Sequence, residues 1–140
     1  MKKSLLDTDI FSEVLKGIDQ TVVSVAAKYR AEHGVLTTSV VTVMEVVKGL
    51  QRVEREDRIK GFLAGVSISE EVIPFGFRCS TTAGRIYGDL ERTGQPIGRA
   101  DPMIASIAIE NGLVLVTGNT SHFERIQNLG YPLELQNWRE

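Results

Sequence analysis

Apolar residues in this chain fall into short runs and helical stripes, and glycine, proline, aspartate or serine stands at most changes of pattern. Leu5-Leu6 reads as a short buried strand that runs straight into Asp7. Ile10 to Leu15 follows as an acid-capped amphipathic helix stopped by Gly17. Asp19 opens a second helix through Val22, Val23, Val25, Ala26 and Tyr29, with Gly34 past its end. Val35 to Thr38 predicts a second strand. From about Val41 to Arg52 the positions Val43, Val46, Val47 and Leu50 keep helical spacing, although valines also tolerate a strand. Glu56 to Leu63 predicts a helix ending at Gly65, and Ile68 to Phe75 a third strand broken by Pro74. Arg78 to Arg92 is a long helix with Ala83, Ile86, Tyr87 and Leu90 inward, closed by Gly94.

The second half repeats the alternation. Gln95 to Gly98 is a loop, and Ala100 to Asn111 is a helix with little polar face, as expected of one lying between a sheet and other helices. Leu113 to Thr117 is a continuous apolar strand of the kind found inside a parallel sheet. Gly118 to Ser121 turns into a short helix, His122 to Leu129; Pro132 to Leu135 offers an edge strand, and Trp138 is expected to tuck the tail onto the body. Strands alternating with helices predict one α/β domain over residues 1–140, with a mainly parallel central sheet flanked by helices.

Composition narrows the class. With 140 residues, 42% hydrophobic and 24% charged, the chain fits one soluble globular domain. No apolar run approaches a membrane span, and Met1-Lys2-Lys3 leads directly into a strand-like segment instead of a leader. Cys79 is the lone cysteine, which leaves no intrachain disulfide and makes a reducing cytoplasm the expected compartment. A net charge of -2 gives no global pull toward nucleic acid, so any RNA binding has to come from a local basic surface.

Ligands of open α/β sheets bind beyond the carboxyl ends of the strands, and right-handed crossovers place those ends on one side. Asp7 follows the first strand, Glu45 lies early in the helix after the second, Asp101 begins the apolar helix, and Asn119 follows the strand Leu113–Thr117. Each has a plainer reading. Asp7 or Asp9 can cap the first helix, Glu45 can form a capping box with Thr42, Asp101 before Pro102 fits an N-cap, and Asn119 suits a turn. Capping and ligand binding are compatible, because a cap at the mouth of the crevice already aims where a ligand would sit. Oxygen donors without a cysteine or histidine partner suit hard divalent cations and not zinc, and such clusters mostly serve phosphoryl chemistry. Asp7-Thr8-Asp9 is also similar to the aspartate pair of haloacid-dehalogenase-like phosphatases, and a strand-end aspartate marks receiver domains. Both families set a late lysine against the phosphate, and in this chain no lysine follows Lys60.

Leu6-Asp7-Thr8-Asp9-Ile10, Thr38 to Val46 with Glu45, and Ile97-Gly98 through Asp101 with Met103-Ile104-Ala105 form an ordered series of motifs. Leu115-Val116-Thr117-Gly118-Asn119 with Phe123, and the tail Leu133 to Trp138, complete it. The complete pattern resembles the PIN-domain ribonucleases, and within them the VapC-type toxins of bacterial toxin–antitoxin pairs. The resemblance implies cleavage of RNA that depends on Mg²⁺, with Mn²⁺ as an alternative, through Asp7, Glu45 and Asp101 as metal-binding acids. Asn119 falls where many members carry a fourth acid, and its amide removes one charge from the catalytic set. The same resemblance implies a cognate antitoxin partner and a homodimer. For RNA binding, Lys48 and Arg52 follow Glu45 on its helical face, and Arg85, Arg92 and Arg99 are further candidates. The competing reading is a catalytically silent PIN-like module that binds RNA or protein.

Overall fold

The computed structural model describes residues 1–140. Its strands are β1 (Ser4–Leu6), β2 (Thr37–Ser39), β3 (Glu71–Ile73), β4 (Val114–Val116) and β5 (Leu135–Gln136), and all pairings are parallel. One ladder runs β1-β4-β5 and another β2-β3. β2 lies against the free side of β1, where the Thr38 hydroxyl donates to the Leu6 carbonyl at 2.9 Å. The spatial order is therefore β3-β2-β1-β4-β5. Connecting the strands are α1 (Thr8–Lys16), α2 (Gln20–His33), α3 (Val40–Arg52), α4 (Glu56–Ser69), α5 (Phe77–Arg92), α6 (Ala100–Glu110) and α7 (Thr120–Asn128).

Neighbouring strand residues point to opposite faces, and the core divides accordingly. Leu5 and Leu115 join α5, α6 and α7 in one cluster; Leu6 and Val116 join α1, α2, Val66 of α4 and Trp138 in the other. α6 is buried along most of its length, with Ile104, Ala105, Ile107 and Ala108 fully covered, as its apolar composition requires. Trp138 is buried with its ring centroid 5.7 Å from that of Tyr29, whose hydroxyl accepts from the Ser4 backbone N–H at 2.9 Å. The tail and α2 are thereby tied to β1. No helix is long and apolar enough to cross a membrane.

The elements differ from the sequence reading chiefly at the third and fifth strands. Gly17, Gly34, Gly94 and Gly112 take the positive φ that stops a helix, but Gly65 does not. α4 continues through it to Ser69, leaves Ile68 on the surface, and shortens the expected Ile68–Phe75 strand to three residues. The last strand lies later than Pro132–Leu135, since Pro132 lacks the N–H a ladder needs; Leu135 and Gln136 pair with β4 instead. The valine-rich segment after β2 is a helix throughout.

Candidate active site

Parallel strands deliver three groups to one edge. Asp7 leaves β1, Ser39 ends β2 and Thr117 leaves β4. Asp7 is both helix cap and site residue: its Oδ1 accepts from the Thr8 N–H at 2.7 Å, and its Oδ2 from the Thr117 hydroxyl at 2.8 Å. The residue is only 6% exposed. Burial, then the nearby Asp9 and more weakly Asp101, push its pKa up to about 7 against the opposing bonds from Thr117 and Thr8.

Two of the plainer capping readings fail. Ser39, not Thr42, caps α3, its Oγ accepting from the Thr42 N–H at 3.2 Å, so Glu45 belongs to no capping box. Glu45 instead accepts from the Thr8 hydroxyl. α6 begins at Ala100, which places Asp101 inside the first turn and not at the N-cap. Its Oδ2 lies 3.3 Å from His122 Nδ1, and that same nitrogen lies 2.9 Å from the Asn119 amide nitrogen. Burial raises the Asp101 pKa, as do Glu45 and Asp9, while His122 lowers it. Asn119 flanks α7, and its N–H donates to the Thr117 hydroxyl at 3.0 Å.

Asp7, Thr8, Asp9, Glu45, Asp101, Gly118, Asn119 and Arg139 together line one open cleft of about 490 Å³ without a hydrophobic residue. The four positions Asp7, Glu45, Asp101 and Asn119 therefore converge. The sequence assigns Asp9 to a cap or to the Leu6–Ile10 motif but not to the catalytic set, and it gives no sign of Arg139. Arg139 clasps Glu13 through Nε at 2.8 Å and through Nη2, and its Nη1 reaches to 3.5 Å from Asp9 Oδ2. Gly118 makes room for it: a Cβ there would overlap Arg139 Nη1 and lie 2.8 Å from Asp9 Oδ2. No local signal joins residues 130 positions apart.

The basic candidates separate. Arg52 lines a second cavity that shares Thr8 and Glu45 with the acidic cleft. Lys48 is exposed on α3 outside both cavities, and Arg99 lines a groove with Ala83, Tyr87 and Met103 of α5 and α6. Arg85 is exposed on α5, and Arg92 pairs with Asp89 at 3.1 Å.

Four carboxylates and an amide fit a hard divalent cation by donor chemistry, with Arg139 the one basic residue in the lining. Their side chains are not gathered for coordination: no three acidic, histidine or cysteine groups already form a metal-holding set. They are engaged with Thr8, Thr117, Gly118 and His122 instead.

A protein-family model described as "PIN domain" matches residues 4–129. The chain is 33% identical over 129 residues to the tRNA(fMet)-specific endonuclease VapC of Shigella flexneri, covering 92% of this chain and 96% of that protein. It is 33% identical over 128 residues to Ribonuclease VapC1 of Rickettsia felis, covering 89% and 91%. Among solved structures, the DNA-bound VapBC from Salmonella typhimurium aligns over 99% of both chains with a TM-score of 0.80 and 27% identity.

Proposed function

The chain belongs to the PIN-domain family and to its VapC ribonucleases, and from that premise we propose that it is a metal-dependent endoribonuclease and the toxin of a toxin–antitoxin pair. The observation that carries the reading is the convergence of Asp7, Asp9, Glu45 and Asp101 on one apolar-free cleft at the carboxyl edge of the sheet. Asp7, Glu45 and Asp101 would hold Mg²⁺ or Mn²⁺. Such an ion offers Lewis acidity toward a phosphate and lowers the pKa of water. The rest is done by the chain. Thr117 and the Thr8 N–H fix the Asp7 carboxylate, and the Thr8 hydroxyl holds Glu45. His122 sits between Asp101 and Asn119, accepting from the amide when Nδ1 is unprotonated and donating to the carboxylate when it carries the proton.

The relatives of known structure include VapBC complexes, which supports an antitoxin as the physiological partner of this chain. An arginine on that partner would find a carboxylate-rich cleft suited to a guanidinium fork. Expression of the chain alone is expected to arrest growth of its host, and co-expression with the small protein encoded beside it to restore growth and yield a stable complex. Harmless expression without a partner would remove the toxin reading.

Arg139 bears on the metal. Its guanidinium already lies beside Asp9, so a cation entering the cleft meets a fixed positive charge there. Arg139→Ala is expected to tighten Mn²⁺ binding about 2- to 5-fold, the range of one exposed ion pair. Calorimetric titration reads this directly. Unchanged affinity would mean that Glu13 alone holds Arg139 and that the cleft does not sense it.

A further inference from the structure

An acidic cleft repels the phosphates it has to cut, so the substrate must be held by cations beside it. Three basic side chains from three helices line the adjoining cavity of about 680 Å³: Lys16 from α1, Arg52 from α3 and Arg58 from α4. That cavity opens onto the cleft through Thr8 and Glu45, which line both. Glu45 is its only acid. None of the three cations takes part in an ion pair, whereas Arg139, on the cleft itself, is clasped by Glu13 and Asp9. Lys16 and Arg52 end their helices, where a cation complements the helix dipole. That explanation fails for Arg58, which stands in the first turn of α4, where the dipole disfavours a positive charge. Gathering like charges around one groove without counter-ions favours an anionic occupant. Leu15, Leu50 and Phe62 add an apolar wall on which an unpaired base can rest.

We propose that this Lys16–Arg52–Arg58 groove is the track of the single-stranded RNA backbone on one side of the scissile phosphate, with Lys48 outside it. The inference rests on the ribonuclease reading and adds the substrate's path. Lys16 and Arg58 position the strand and touch no reacting atom, so their loss raises KM and leaves kcat and metal affinity nearly unchanged. The test is a salt titration of binding to a labelled single-stranded RNA by the full chain in Ca²⁺, for the native protein and for Lys16→Ala, Arg58→Ala and Lys48→Ala. Each of the first two is expected to flatten the logarithmic salt slope by about 0.7, the single-strand value per phosphate contact, and Lys48→Ala to leave it unchanged. If the native chain binds and cleaves RNA while Lys16→Ala and Arg58→Ala keep its slope, the track is overturned and the ribonuclease reading stands. Variants that lose only affinity for the antitoxin overturn it as well, assigning the groove to that partner. A native chain that neither binds nor cleaves RNA overturns both readings.

Discussion

Asp7→Asn protein is expected to lose nearly all RNA cleavage and yet to be more heat-stable than the native chain in metal-free neutral buffer. The two effects share a cause. In the folded chain the Asp7 carboxyl keeps its proton up to about pH 7, against 3.8 for an ordinary aspartate, chiefly because it is buried and secondly because Asp9 lies near. Between those values the native state binds more protons than the unfolded one, so stability falls as pH rises through the window and levels off above it. A shift of this size corresponds to a few kcal/mol, or several degrees in Tm. Asparagine keeps an oxygen for the Thr8 N–H and an amide that can donate to Thr117, and it carries no charge to bury. The native chain should therefore lose Tm from about pH 4 to pH 7, and Asp7→Asn should lose distinctly less. Removing one of the three acids proposed to hold the metal should cost activity about a thousandfold, several kcal/mol of transition-state stabilisation. Parallel Tm curves for the two proteins would contradict burial of the Asp7 charge as the cause.

The second large effect is the response to metal. Millimolar Mg²⁺ or Mn²⁺ should raise the Tm of the native chain, because whatever binds only the folded state stabilises it by RT ln(1 + [L]/Kd). Saturation at a hundred times Kd corresponds to about 2.7 kcal/mol. The gain should grow from acid to neutral pH, since Asp7 and Asp101 must both be deprotonated to serve as ligands and both have raised pKa values. Near neutrality binding should release protons, which calorimetry detects as a heat that varies with the ionisation enthalpy of the buffer. A metal response independent of pH would exclude Asp7 as a ligand.

How much of this was legible depends on the range of the interaction. Leu5-Leu6-Asp7 and Leu113–Thr117 carry local signals strong enough to place two central strands, and their parallel pairing brings Asp7 and Asn119 to one edge. Gly65 does not stop α4, because a glycine C-cap needs a positive φ and whether the chain turns there depends on the residues beyond it. Glu45 and Asp101 line the cleft, but the capping roles the sequence also offers them are not taken up, since a cap depends on the first helical residue and that boundary shifts easily. Arg139 and the Gly118 that admits it were invisible, because the contact is set by how Trp138 buries the tail. Lys48 and Arg52 looked equivalent in sequence; one turn of α3 separates a surface charge from a groove-lining one.

The most direct test of the central claim is cleavage of an end-labelled RNA by the purified chain, compared across Mg²⁺, EDTA, and Mg²⁺ with Asp7→Asn or Asp101→Asn. Discrete internal cuts in Mg²⁺ alone, absent with EDTA and with both variants, are the predicted result. Cutting that persists in EDTA, or at undiminished rate in the folded variants, would contradict the assignment of this cleft as a metal-dependent ribonuclease centre.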